Sequence, residues 1–176
     1  MKILITYAYA GVGHKKAAMA IEKALADFKG VEVKNVDVLD YTNAFFKASY
    51  PNVYLFLINK TPTFWGLFYY LLDSRLVDFF MAPVRKFLHR LNCKRFIEFV
   101  KAENPDVVVS THFLPSEIVS GLKDRGEFKG RLVNVVTDFI AHSFWMARSS
   151  DYFIGAIQRT NKDLLKRGGA EEKIKI

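Results

Sequence analysis

The fold of this chain is decided by residues 2–39, which read KILITYAYAGVGHKKAAMAIEKALADFKGVEVKNVDVL. The apolar run Lys2–Ala8 predicts a buried strand. His14–Phe28 carries its alanine, isoleucine and leucine residues on one helical face, and Gly30 ends that helix. Val31–Leu39 predicts a second strand. A strand, a helix and a strand in this order indicate a parallel sheet.

The remainder of the chain repeats this alternation. Further strands are predicted at Asp106–Ser110, Arg131–Thr137 and Asp151–Gly155, and Lys173–Ile176 begins another. Helices are predicted at Pro83–Ala102, where proline takes the first helical position, and at Pro115–Lys123 and Gln158–Arg167. We therefore expect an α/β fold with a doubly wound, mostly parallel, Rossmann-like sheet.

Residues 41–81 interrupt the alternation with an aromatic-rich insertion that holds half of the chain's Phe, Tyr and Trp residues. It predicts two or three helices with a turn at Thr61-Pro62. These rings can form the core of a helical layer, or they can be partly exposed to a membrane. We favour the membrane, because so many large rings are hard to bury beside a sheet of this size. The predicted membrane contacts are Phe64, Trp65, Phe68 and Tyr69, with Lys86, Arg90 and Lys94 on the following helix, whose alternative role is a solvated basic face.

Composition limits the possible classes of protein. The formal net charge is +8, which favours anionic partners such as acidic lipids or phosphorylated substrates. No nucleic-acid recognition motif accompanies that charge, so nucleic acid is not an expected partner. The single cysteine, Cys93, cannot form an internal disulfide and suits a reducing compartment. The longest clean apolar run, Phe64–Leu72, is well short of the roughly 20 residues that span a bilayer.

Gly11-Val12-Gly13-His14 lies between the first strand and the first helix. A dinucleotide fingerprint would need a third glycine at Lys16, and the G-K-[ST] ending of a phosphate-binding P-loop is also missing. Two interpretations remain open. The segment is a plain tight turn with a solvent-facing histidine, or it binds an anion at the helix N-terminus and holds His14 neutral, as a general base must be.

Several polar residues follow predicted strands and share the sheet edge where such folds bind ligands. His112 and His142 can hydrogen-bond the hydroxyl groups of a sugar or glycerol there, and Asp138 can orient or polarise His14 or His142. Trp145 can stack on a sugar or support an acyl chain. The structural alternatives are a helix N-cap for Asp138 and a core position for Trp145. No compact pair of histidines or cysteines indicates a metal site, so none is expected.

Four segments in this order carry a resemblance to a known family. They are Gly11–His14 with Ala17–Ile21, the aromatic insertion, Asp106–His112, and Thr137–Trp145. In these segments the chain resembles the monogalactosyldiacylglycerol synthases and processive diacylglycerol glucosyltransferases, which are GT-B enzymes of the family 28-like group. It is more distantly similar to the N-acetylglucosaminyltransferase that acts on a lipid-linked cell-wall precursor.

The resemblance implies a transferase that moves a hexose from a UDP-sugar to diacylglycerol or a related membrane lipid. Residues 1–176 would form the N-terminal, acceptor- and membrane-binding domain, and a C-terminal UDP-sugar-binding domain would lie outside this chain. We therefore expect the chain alone to be inactive. The family implies no cofactor, no catalytic metal, and a peripheral location at the cytoplasmic face of the membrane.

The resemblance also implies roles for individual residues. His14 would be the general base, and Gly11 and Gly13 would shape the loop near the donor phosphates. His112, Asp138, His142 and Trp145 are assigned to the acceptor side. The alternatives are a non-catalytic membrane-binding α/β module, a stand-alone nucleotide-binding protein, or an enzyme that acts on the cell-wall precursor.

Overall fold

The computed structural model describes residues 1–61, 63, 66 and 74–175, and its centre is a six-stranded sheet. The strands are β1 (Lys2–Tyr7), β2 (Glu32–Asp37), β3 (Val107–Ser110), β4 (Arg131–Val136), β5 (Tyr152–Gly155) and β6 (Ile174–Lys175). Their spatial order is β2-β1-β3-β4-β5-β6, and all neighbouring pairs are parallel. The prediction of a parallel α/β sheet is confirmed.

Helices cover both faces of the sheet. They are α1 (Val12–Leu25), α2 (Ala44–Lys60), α3 (Arg75–Asn92), α4 (Lys94–Glu103), α5 (Phe113–Asp124) and α6 (Gln158–Lys166), with 3-10 turns at Val38–Tyr41, Ser143–Trp145 and Glu171–Lys173. Alternation along β1 divides the core. Ile3 and Ile5 pack with Ala18 of α1, whereas Leu4 points to the other face and joins the core formed by α4 and α5.

The strand order creates a crevice at the carboxyl edge of the sheet. From β1 the chain moves outward to β2, then returns across β1 to β3 and continues in the opposite direction. The loops that follow β1 and β3 therefore diverge at this point. In doubly wound sheets, ligands bind at such switch points.

The prediction of a single helix at Pro83–Ala102 is wrong in two respects. Helix α3 begins at Arg75, so Pro83 lies inside it, and a separate helix α4 begins at Lys94. Between them Cys93 leaves the helical conformation, with φ −106° and ψ 24°. This break lets α4 bury three apolar residues in the core, namely Phe96, Ile97 and Val100. A periodic pattern cannot reveal such a break, because it depends on contacts with the sheet.

The break also divides the predicted basic stripe. Lys86 and Arg90 lie on α3, but Lys94 lies on α4, where it is 4.0 Å from the Glu98 carboxylate. The sequence had predicted that these three basic residues share one helix face. The structure places them on two helices, so that prediction is wrong. Each of them is exposed.

The aromatic insertion is partly core and partly surface. Tyr41, Phe46 and Tyr50 pack against the core, whereas Phe45 and Phe80 are 81% and 66% exposed. The predicted membrane contacts Phe64, Trp65, Phe68 and Tyr69 lie outside the described residues. Among the helices that are described, none combines the length and the apolar character needed to cross a bilayer.

Candidate active site

The glycine bend leads directly into helix α1. Gly11 has a φ of +132°, which side-chain-bearing residues rarely adopt, so glycine is required there by the backbone. Gly13 lies in the first helical turn, and a methyl group on it would meet no described atom within 4 Å. Gly11 at the N-cap makes no side-chain cap bond, so within the described part of the chain the first-turn N–H groups are uncapped and can bind an anion.

The ends of three neighbouring strands meet at His14, which follows β1. Thr111 follows β3 and Thr137 follows β4. The Nδ1 atom of His14 is 2.9 Å from the Thr111 carbonyl oxygen and 2.7 Å from the Thr137 hydroxyl oxygen. In return, the Thr111 hydroxyl donates to the His14 carbonyl oxygen at 2.9 Å. The half-buried imidazole is thus fixed at the mouth of the crevice.

The tautomer of His14 follows from these contacts. A carbonyl oxygen can only accept a hydrogen bond, so Nδ1 carries the proton that reaches Thr111. In the neutral ring the lone pair is then on Nε2. Among the described residues, Nε2 of His14 has no hydrogen-bond partner, so the geometry leaves it available to accept a proton.

His112 lies beside His14, as the shared sheet edge predicted. The two ring centroids are 4.5 Å apart in an edge-to-face arrangement. Nδ1 of His112 accepts the Leu114 N–H at 3.0 Å and so caps the start of α5. Burial, followed by the neighbouring His14 and His89, holds the pKa of His112 well below its usual value, so the ring stays neutral.

One sequence hypothesis was that Asp138 orients or polarises a histidine. In the structure its described hydrogen bond is to a tryptophan instead. Its Oδ2 atom accepts the indole N–H of Trp145 at 2.8 Å. Trp145 is fully buried in a cluster with Val136 and Phe153. The buried indole therefore fixes the position of the Asp138 carboxylate, and neither face of the indole ring is exposed for stacking on a ligand. Asp138 itself is half-buried and remains the predicted acceptor-side carboxylate.

His142 has a structural position as well. It caps the 3-10 turn that follows it, with Nδ1 accepting the Phe144 N–H at 3.2 Å. The ring is 2% exposed, like that of His112. Trp145 is buried as well, and the predicted contact of these three side chains with an acceptor stays a prediction. Within the described ranges, no three His, Cys, Asp or Glu side chains are grouped as metal ligands.

Sequence reasoning missed a buried charged cluster that joins α3 to α5. Glu117 on α5 accepts from Arg85 and lies 2.7 Å from Nδ1 of His89, both on α3. The Arg85 guanidinium also lies over the Phe144 ring at 4.3 Å, next to His142. The available signal was Glu117 itself, a single carboxylate within the apolar helical pattern of residues 113–119.

The outer side of α3 carries an exposed surface of mixed character, which we call the α3 surface. Phe87 and Leu91 are 61% and 60% exposed, one turn apart. The same surface also includes Phe80, Met81, Val84 and Leu88, with Lys86 and Arg90 between them. Rings and aliphatic chains exposed together with basic residues are typical of helices that lie on membranes.

Comparisons with known proteins agree with this fold. The family model for monogalactosyldiacylglycerol (MGDG) synthase matches residues 14–176. Processive diacylglycerol beta-glucosyltransferases from Bacillus cereus strain 03BB102 and Bacillus cytotoxicus are each 30% identical over 184 aligned residues. Each match includes 98% of this chain, and the chain spans 43% of the relative's length.

A solved structure gives the same picture of the fold. The apo form of the lipopolysaccharide outer core galactosyltransferase WaaB superposes on all of this chain with a TM-score of 0.55. The match covers 45% of the WaaB chain at 12% identity. At that identity the similarity concerns architecture alone, and the fold is that of one GT-B glycosyltransferase domain.

Proposed function

Because the chain belongs to the MGDG synthase family, we propose that the whole protein transfers a hexose from a UDP-sugar to diacylglycerol or a related membrane lipid. The observation that carries the proposal is the contact between Nδ1 of His14 and the Thr111 carbonyl oxygen at the switch-point crevice, which leaves Nε2 as the lone-pair nitrogen of the neutral ring. The similarity to diacylglycerol glucosyltransferases gives the substrate class. The chain spans 43% of the length of those relatives, and the proposal assigns the donor contacts other than the first turn of α1 to the rest of the whole protein.

His14 acts as the general base in this proposal. Its Nε2 takes the proton of the acceptor hydroxyl while the acceptor oxygen bonds to the anomeric carbon of the sugar. The bond from that carbon to the diphosphate oxygen breaks, and UDP leaves with the electron pair. The free N–H groups of the first turn of α1, next to Gly11 and Gly13, stabilise the diphosphate charge, so the chain's own groups can serve without a cofactor.

The acceptor binds on the side of the crevice formed by Asp138. Its carboxylate is fixed through Oδ2 by the indole of Trp145, and Oδ1 remains to accept from a glycerol or sugar hydroxyl. His112, His142 and Trp145 contribute to this side as buried supports.

The direct test is a transfer assay. The whole protein, incubated with diacylglycerol vesicles and labelled UDP-glucose or UDP-galactose, should form a labelled glycolipid. Absence of transfer from both donors to diacylglycerol and to other membrane lipids, with vesicle binding intact, would leave a non-catalytic membrane-binding module as the function. Transfer only to a lipid-linked cell-wall precursor would replace the acceptor class.

A Gly13→Ala variant sharpens this assay. The added methyl group meets no atom of the described residues within 4 Å, and alanine is up to about 1 kcal/mol better than glycine in a helix, so the variant should fold at least as well. If the diphosphate approaches this turn closely, KM for the UDP-sugar should rise about tenfold or more. An unchanged KM in a well-folded variant would remove Gly13 from the donor site.

The α3 surface is the proposed membrane contact. Its exposed apolar residues enter the lipid interface, and Lys86 and Arg90 attract anionic headgroups, together with Lys94 on α4. Outside the described residues, Phe64, Trp65, Phe68 and Tyr69 belong to the same proposal by their sequence position. The protein would be peripheral, at the cytoplasmic face, where its single cysteine stays reduced.

Vesicle flotation tests this contact. A Lys86→Gln/Arg90→Gln variant should bind phosphatidylglycerol vesicles about 30-fold more weakly, because each basic group near such a surface contributes about 1 kcal/mol. Binding to phosphatidylcholine vesicles should hardly change. The matched control is Lys23→Gln/Lys29→Gln, which removes equal charge at α1 on the opposite side of the sheet. Equal losses in both variants would show that only net charge matters and that α3 is not the contact.

A further inference from the structure

The hydroxyl of Thr137 holds His14 from the end of strand β4. It is 2.7 Å from Nδ1 of His14 and 3.3 Å from the carbonyl oxygen of Thr111. The residues involved are 97 and 123 positions away from His14 in the chain. Three separate strand ends therefore converge on one nitrogen of one imidazole.

In the neutral ring, only one tautomer of His14 satisfies these contacts. If the Thr137 hydroxyl donated to Nδ1, that nitrogen would have to be unprotonated, and its lone pair would then face the Thr111 carbonyl oxygen at 2.9 Å. Two acceptors at that distance repel each other. Instead, Nδ1–H donates to both oxygens, and the Thr137 hydroxyl donates to the Thr111 carbonyl.

We propose that Thr137 is a positioning residue: the Thr111 carbonyl selects the Nδ1–H tautomer of His14, and the Thr137 hydroxyl fixes the ring orientation so that Nε2 faces the acceptor hydroxyl. This inference rests on the proposed function of His14 as a base. When Nε2 accepts the proton, Nδ1–H is retained, and the oxygens of Thr137 and Thr111 stabilise the imidazolium. A carboxylate often has this role, but the neighbouring Asp138 is held by Trp145 instead.

The surroundings of His14 favour such a neutral partner. The titratable side chain against its ring is that of His112, which burial keeps uncharged. Trp145 is the other ring nearby, with centroids 6.4 Å apart. Because neither His112 nor Trp145 is charged, the orientation of His14 depends on hydrogen bonds. Of the two groups that Nδ1 contacts, only the Thr137 hydroxyl can be removed by a side-chain substitution.

Kinetics of the whole protein test the inference. Thr137→Val removes the hydroxyl at nearly constant volume and should lower kcat about tenfold, the effect of one lost hydrogen bond, while KM for both substrates stays within twofold. Thr137→Ser keeps the hydroxyl and should restore kcat to within threefold of the original. Comparable kcat losses in the valine and serine variants would assign the effect to packing and overturn the inference.

A double-mutant cycle separates this inference from the proposed function. In a His14→Ala background, Thr137→Val should cause no further loss, because the group that Thr137 positions is already gone. A further tenfold loss there would overturn the positioning role while leaving His14 as the base. Full activity of His14→Ala alone would instead remove the proposed function, and this inference with it.

Nitrogen NMR gives a readout that needs no activity. Long-range proton–nitrogen correlation on the labelled protein should report a protonated Nδ1 and an unprotonated Nε2 for His14 in its neutral form. In Thr137→Val, the Nδ1 nitrogen and proton signals should shift, because Nδ1–H loses one of its two acceptors, and in Thr137→Ser they should keep their original positions. A neutral His14 that carries its proton on Nε2 in the original protein would overturn the inference.

Discussion

Replacing His14 with alanine is expected to lower kcat for sugar transfer by a factor of about 10² to 10⁴, the usual contribution of a positioned general base. The loss follows from the removal of Nε2, the one ring nitrogen that the contacts with Thr111 and Thr137 leave unprotonated. Initial rates with saturating UDP-sugar and lipid measure the effect. KM values should change much less, because the ring acts on the reacting hydroxyl.

The controls for this variant separate chemistry from folding and from membrane binding. Met19→Ala, on the exposed side of the same helix, should keep full activity. Vesicle binding of His14→Ala should equal that of the original protein, since the α3 surface is untouched. Added imidazole should restore part of the rate by replacing the missing base. A kcat within threefold of the original would remove His14 from the mechanism.

The second large effect concerns stability. Glu117→Gln should lower the free energy of unfolding by about 3 kcal/mol at pH 7, because it removes the buried negative charge that is paired with Arg85 and His89 in this cluster. The carboxylate lies 3.1 Å from Nη2 and Nε of Arg85 and 2.7 Å from Nδ1 of His89. The Glu117 and Arg85 side chains are only 9% and 18% exposed, so solvent screens their charges little.

The pH dependence of this effect has a definite sign. Burial alone would raise the pKa of Glu117, but hydrogen bonds and charges from His89 and Arg85 outweigh it and lower the pKa below its ordinary 4.5. The stabilisation is therefore complete above about pH 4.5 and is lost as the pH falls through the folded-state pKa. The difference between the original protein and Glu117→Gln should be largest near neutral pH and should shrink in more acidic solution.

Urea unfolding at pH 7 measures the loss of unfolding free energy in Glu117→Gln, and the same experiment at pH 3.5 measures how far that loss shrinks in acid. The matched control is Glu98→Gln, which changes an exposed glutamate 4.0 Å from Lys94. An exposed pair of this kind contributes little, so the control should lose less than about 0.5 kcal/mol at either pH. If Glu117→Gln destabilised the protein equally at both pH values, its negative charge would not be the cause.

The cluster around Glu117 also connects the two halves of the proposed function. Arg85 and His89 belong to α3, whose outer side is the proposed membrane contact, and Glu117 belongs to α5, which begins at the His112 cap. Arg85 continues this connection to Phe144 in the segment that carries Asp138 and Trp145. The cluster thus joins the proposed acceptor side of the crevice to the proposed membrane contact.

The sequence by itself determined the parallel α/β sheet and the grouping of His14 and His112. Period-two and helical patterns are local, and the carboxyl ends of parallel strands must share one edge whatever the details of packing. The requirement for glycine at the bend was also local. The family resemblance added a role for each residue, but it gave no geometry for any of them.

Only the tertiary structure decided which partners those residues have. His14 is held by two threonines rather than by Asp138, Trp145 is buried under Asp138, and α3 ends at Cys93 so that α4 can reach the core. Each of these outcomes depends on contacts between distant parts of the chain. Hydrogen-bond direction and burial are properties of the packed molecule, so no local pattern of residues encodes them.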